Sequence, residues 1–151
     1  MKTRQGDLIQ LALAGEFDVI VHGCNCHCQM GRGIALTIKK LLPEAYVADC
    51  QTPKSDKSKL GTISFAEIKR GEIQFIVVNA YTQFDWAGSG VKADYHAIRQ
   101  VMKAIKTAFS GKRIGYPKIG AGLAGGDWDI IYPIICEELA GEHHTYVEYG
   151  V

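Results

Sequence analysis

The chain has almost no net charge, no long apolar run and no standard phosphate-binding signature. Each gap removes a class of function. Seventeen Lys and Arg stand against sixteen Asp and Glu, a formal net charge of +1 over 151 residues. No basic run breaks that balance, so nothing in the sequence speaks for direct nucleic-acid binding. An anionic ligand must then be met locally, by backbone N–H groups or a helix end. The longest apolar runs, such as FIVV at 75–78, are far too short to span a membrane. The start, MKTRQGDL, has no apolar stretch of the signal-peptide kind. The expectation is a cytoplasmic protein with no membrane partner. A G-x-x-x-x-G-K-[ST] motif is missing, and so is a dinucleotide fingerprint after the first strand. There is no internal repeat and no linker, and residues 1–151 read as one domain.

Paired cysteines are missing too. The five cysteines are odd in number and follow no secretion signal, which argues for free thiols. The C-x-C-x-C run of Cys24, Cys26 and Cys28 lacks the C-x₂₋₄-C spacing of structural zinc, and no second pair follows. These are read as small thiols lining a tight loop, with no metal and no cofactor.

What is present is organised around residues 19–34, VIVHGCNCHCQMGRGI. Val19, Ile20 and Val21 are β-branched and suit a buried strand. Gly23, Gly31 and Gly33 let the backbone turn sharply, and a helical pattern starts at Ile34. Strand, Gly loop and helix start, in that order, form a place to hold an anion or a nucleotide. A second such segment, PKIGAGLAGGDW at 117–128, follows a short strand at 113–116.

The remaining chain supplies the frame. A short first strand leads to Asp7, placed to cap a brief helix of Leu8, Ile9, Leu11, Ala12 and Leu13. Ile34, Ile38, Leu41 and Leu42 share one helix face, and Pro43 opens the next helix, 44–49. Residues 52–60, TPKSDKSKL, read as an exposed loop. Residues 61–68 and 73–79 read as a hairpin turning at Arg70-Gly71. A loop at 81–90 mixes aromatics with Gly and Ser. Val91, Tyr95, Ile98, Met102 and Ile105 mark an amphipathic helix. Ile130, Ile131, Ile134, Ile135 and Leu139 mark another, capped by Asp127, and a last strand covers 145–149. The fold class is α/β, with a mixed, mostly parallel central sheet of about six strands covered on both faces. Ligands of such sheets bind at the carboxyl ends of the strands, which both Gly loops leave.

Five motifs occur in order: G-D-L at 6–8, H-G-C-N-C at 22–26, M-G-R-G-I-A at 30–35, V-N-A-Y-T at 78–82 and Y-P-K-I-G-A-G-L-A-G-G-D-W at 116–128. Together they resemble the macrodomain family, the ADP-ribose-binding three-layer α/β/α sandwich, over nearly the whole chain. Within it they are most similar to the branch with the yeast ADP-ribose 1''-phosphate phosphatase and the terminal ADP-ribose protein glycohydrolase.

The resemblance implies that Asp7 accepts from the adenine amino group, with the Leu8 backbone beside it. Asn25, Met30, Gly31, Arg32, Gly33 and Ile34 would surround the distal ribose and pyrophosphate. Ile119, Gly120, Ala121, Gly122, Leu123 and Ala124 would form the second phosphate loop. His22 matches a histidine of the phosphatase-like branch, able to move a proton near neutral pH. Asp85 is the candidate for holding the attacking water, with Asp127 as the other choice. Gln83 and Ala124 stand where the glycohydrolase has a lysine and an aspartate. Gln83 forms no Schiff base, and Ala124 is neither acid nor base. Lys92 and Asp127 are the nearest displaced substitutes. The implied activity is hydrolysis of ADP-ribose 1''-phosphate to ADP-ribose and phosphate. The alternatives are removal of ADP-ribose from a modified protein or nucleic acid, and non-catalytic recognition of ADP-ribose.

Overall fold

In a computed structural model, which describes residues 2–85 and 90–150, the elements run β1 (Lys2–Gly6), α1 (Leu8–Leu13), β2 (Val19–Cys24), α2 (Gly33–Leu41), α3 (Pro43–Cys50), β3 (Ile63–Arg70), β4 (Ile73–Tyr81), α4 (Tyr95–Phe109), β5 (Arg113–Tyr116), α5 (Trp128–Glu138) and β6 (His143–Tyr149). The six-stranded sheet has the order β1-β6-β5-β2-β4-β3. Every neighbouring pair is parallel except β3 with β4. That hairpin turns at Gly71, whose φ of +63° is open to glycine.

β2 lies centrally, and its Val19, Ile20 and Val21 are buried, as a strand covered on both faces requires. One face packs against α4 and α5, through Ile98, Met102, Ile105, Ile131 and Ile135. The other packs against α1, α2 and α3, through Leu8, Ile38, Leu42 and Ala45. This is the expected α/β/α arrangement. Burying Ile38 and Leu42 completely contributes roughly 2 kcal/mol each. Arg70 closes the β3 edge, holding Glu44 of α3 with two bonds of 2.7 and 2.9 Å.

The caps expected at Asp7 and Asp127 form, and Asp94 adds one that the sequence reading did not single out. Asp7, Asp94 and Asp127 each accept a backbone N–H at the start of α1, α4 and α5. Four expectations about burial differ from the structure. Leu41 and Ile130 share the spacing of core residues but are exposed, because each sits at the edge of its helix's buried stripe. Val91 precedes the cap at Asp94, so it lies outside α4 and in solvent. The 52–60 segment is not wholly exposed: it holds a 3₁₀ turn, Lys57–Lys59, whose Lys59 is buried. Trp86, in the aromatic 81–90 segment, lies outside the described residues. Among the described residues, no helix is long and apolar enough to cross a membrane.

Candidate functional site

The carboxyl ends of β2, β5 and β6 open on a cavity of about 570 Å³. Its two long walls are the loops singled out in the sequence. The first ends at the N-terminus of α2. Arg32 occupies the cap position in an extended conformation, and its side chain makes no capping bond. The first intrahelical bond runs from Leu36 N–H to the Arg32 carbonyl at 3.3 Å. The amides of Gly33, Ile34 and Ala35, all at the cavity wall, therefore have no partner within the helix. A helix start with open amides attracts negative charge.

The facing loop leaves a matching set. Some of its amides are used internally: Ala121 N–H bonds to the Lys118 carbonyl at 3.3 Å, and Gly126 N–H to the Gly120 carbonyl at 2.7 Å. Among the described residues, the amides of Gly120, Gly122, Leu123 and Ala124 have no backbone acceptor, and all four residues line the cavity. The loop's shape depends on Gly126, where a Cβ would meet the Gly120 oxygen at 2.5 Å. The Ala124 carbonyl pins the loop to the segment before α4 by accepting from Lys92 at 2.7 Å and Ala93 at 3.3 Å.

Most residues expected at the ligand reach this cavity: Asn25, Gly31, Arg32, Gly33 and Ile34 on one side, Ile119, Gly120, Gly122, Leu123 and Ala124 on the other. Met30 and Ala121 do not line it; Met30 packs inward. Asp7 and Leu8 are not cavity-lining either. Asp7 caps α1, accepting from Gln10 N–H at 3.1 Å. It nevertheless follows Gly6, which pairs with Tyr149 at the cavity's β6 rim. Gln29 and Lys118 line the cavity without having been singled out. The signal for Gln29 was a period of two: Cys24, Cys26, Cys28 and Met30 are buried, while Asn25 and His27 are partly exposed and Gln29 is exposed. That alternation places the three thiols of the C-x-C-x-C run on the inner side of a loop that turns at Cys26–Cys28.

His22 is placed differently from its expected role. It is wholly buried in β2 and absent from the cavity lining. Asn79 Nδ2 donates to the Ala45 carbonyl and the Ser64 hydroxyl, both at 3.0 Å. Its Oδ1 is therefore an acceptor, and His22 Nε2–H donates to it at 2.7 Å. Burial pulls the imidazole down from 6.5 to about 4, only partly offset by the Asn79 bond. Cys24 Sγ lies 3.5 Å from Nε2 and 3.7 Å from Nδ1, and burial pushes its thiol well up. Cys24, His22 and Asn79 have the outline of a nucleophile, base and orienting group. Desolvation moves both titrations away from the thiolate–imidazolium pair that such chemistry needs, so the pair is neutral.

Asp85 also lies off the cavity lining. Its carboxylate is half-exposed and 4.0 Å from His27 Nε2, while its carbonyl accepts from cavity-lining Gln83 at 2.7 Å. Asp127 is engaged as the cap of α5, accepting from Asp129 N–H at 2.9 Å.

A family model described as the Macro domain matches residues 21–135. Among curated proteins, the chain is similar to an uncharacterized 17.5 kDa protein from the tk-vs intergenic region of Enterobacteria phage T4. The two are 36% identical over 140 residues, covering 89% of this chain and 87% of the phage protein. Among solved structures, a protein from Bacteroides thetaiotaomicron is 27% identical, with a TM-score of 0.78, covering 100% of this chain and 99% of that one. Thermosipho africanus DarTG in complex with ADP-ribose shares the fold, at 18% identity and a TM-score of 0.76, with 100% of this chain covering 42% of that chain.

Proposed function

The chain belongs to the macro domain family, and on that premise we propose that its cavity binds ADP-ribose by the diphosphate. One observation carries this reading: two facing sets of amides, at Gly33–Ala35 and at Gly120 and Gly122–Ala124, have no backbone acceptor among the described residues and meet across one cavity. A diphosphate carries about two negative charges, which peptide N–H groups and a helix start meet without lysines. That suits a chain of net charge +1. The adenosine would lie along β6 toward Tyr149 and Asp7. The distal ribose would lie toward Asn25 and Gln83.

The proposed reaction is hydrolysis of ADP-ribose 1''-phosphate to ADP-ribose and phosphate. Gln83 and Ala124 both line the cavity and neither ionises, so these two positions supply neither the amine nor the carboxylate of a lysine-adduct route. The buried, neutral His22 is assigned to holding β2 against Asn79 rather than to moving a proton. Asp85, next to the Gln83 wall, is assigned to the attacking water. With amide donors and an attacking water held by a half-exposed carboxylate, the turnover is slow.

Calorimetric titration tests the binding: no heat with millimolar ADP-ribose would overturn it. Phosphate release from ADP-ribose 1''-phosphate tests the reaction. Asp85→Asn should cut the rate by about tenfold or more, the scale of a lost general base, with ADP-ribose affinity kept. Binding without phosphate release, together with freeing of ADP-ribose from a modified protein or nucleic acid, would move the reaction to that substrate class.

A further inference from the structure

Behind the first wall lies a buried polar cluster that the cavity lining does not include. The inner edge of the 24–31 loop rests on it. Lys59, only 4% exposed, donates from Nζ to the Cys26 carbonyl at 3.3 Å and lies 3.7 Å from Cys28 Sγ. The same ammonium sits 4.5 Å over the centre of the Tyr81 ring. Tyr81 Oη donates to Asp49 Oδ1 at 2.6 Å, and the Cys28 thiol donates to the Asp49 carbonyl at 3.3 Å. The Cys26 carbonyl also accepts from Ser55 N–H at 2.7 Å, and Cys26 N–H donates to the Phe84 carbonyl at 3.0 Å.

Two features set this cluster apart from ordinary packing. Its cation comes from a segment, KSDKSK, whose other lysines are exposed; burying an ammonium is unfavourable unless carbonyls, a ring face or a carboxylate meet it. Moreover, the two described non-glycine residues with positive φ are Cys28, at +56°, and Ser55, at +61°. Both are bonded into the cluster. L residues avoid that conformation, and it persists where surrounding contacts enforce it. The loop is thus held in a shape it would not keep alone, and its outer edge presents Asn25 and Gln29 to the cavity.

We infer that Lys59 is a positioning residue for the ligand: its ammonium fixes the inner edge of residues 24–31, and so sets Asn25, Gln29 and the start of α2 against the diphosphate and distal ribose. This rests on the ADP-ribose site proposed above. The adenosine half, placed by β6, does not depend on it.

The test compares ADP-ribose with AMP, which lacks the diphosphate and the distal ribose, by calorimetry on the wild type, Lys59→Met and Lys59→Gln. Lys59→Met should weaken ADP-ribose by about tenfold or more while AMP stays within about twofold. Lys59→Gln, which keeps a donor for the Cys26 carbonyl, should regain part of the loss. ADP-ribose affinity within about twofold of wild type in Lys59→Met would overturn the positioning role, and so would equal losses for the two ligands. If Lys59→Met does not fold, Lys59→Gln is judged by the same two criteria. A wild type that binds AMP but gains nothing from the rest of ADP-ribose overturns the role and the proposed site together. A wild type that binds ADP-ribose beside an indifferent variant overturns the role alone.

Discussion

Asn79 decides which ring nitrogen of His22 carries the proton. Its Nδ2 is taken by the Ala45 carbonyl and the Ser64 hydroxyl, so its Oδ1 accepts from His22 Nε2–H at 2.7 Å. The cost of charging that buried ring falls on the folded state. Its pKa is about 4 there, against 6.5 in a free side chain. The unfolded chain therefore takes up the proton first as pH falls. Stability from this group is complete above 6.5 and declines toward about 4, by up to about 3 kcal/mol. Urea unfolding of the wild type should weaken over that window more steeply than that of His22→Asn. Parallel profiles for the two proteins would show that the imidazole is not held neutral.

A charge placed in the amide clamp should act on the ligand and not on the fold. Gly122 suits the purpose: it lines the cavity, and a Cβ there would meet nothing within 4 Å. Gly122→Ala should keep both stability and affinity. Gly122→Asp sets a carboxylate among the amides proposed to hold the diphosphate, and should lower ADP-ribose affinity by about tenfold or more. Its unfolding temperature should match that of Gly122→Ala. Retained affinity in the aspartate variant would mean that the diphosphate lies elsewhere.

Local chemistry made the frame and the two cavity-lining loops legible in the sequence. The β-branched run at 19–21 marks a buried strand whatever its neighbours are. Gly120, Gly122 and Gly33 mark bare backbone at the cavity wall. His22 and Lys59 were hidden for the opposite reason. Their burial depends on residues far along the chain: Asn79 and Ala45 around the imidazole, Cys26 and Tyr81 around the ammonium. A histidine just before a Cys-Asn loop resembles a catalytic group until its partners are known. A lysine in a polar run resembles a solvated one until the loop above it is placed. Leu41 and Ile130 failed differently: helical spacing gives a face, but not how wide the sheet beneath it is.

Tyr149 provides the control for the opposite half of the ligand. It ends β6 opposite Gly6, one residue from Asp7, and is 83% exposed at the cavity rim. Its ring covers no core, so removing it should leave the fold intact. Stacking of a base on an exposed aromatic ring contributes about 1 kcal/mol or more, so Tyr149→Ala should weaken binding by about fivefold or more. The loss should be equal for AMP and ADP-ribose, because both carry the adenine. That pattern is the reverse of the one expected for Lys59→Met, which should spare AMP. Measured side by side, the two variants assign each half of the ligand to its own wall. A Tyr149→Ala protein that loses ADP-ribose but not AMP would turn the ligand end for end in the cavity.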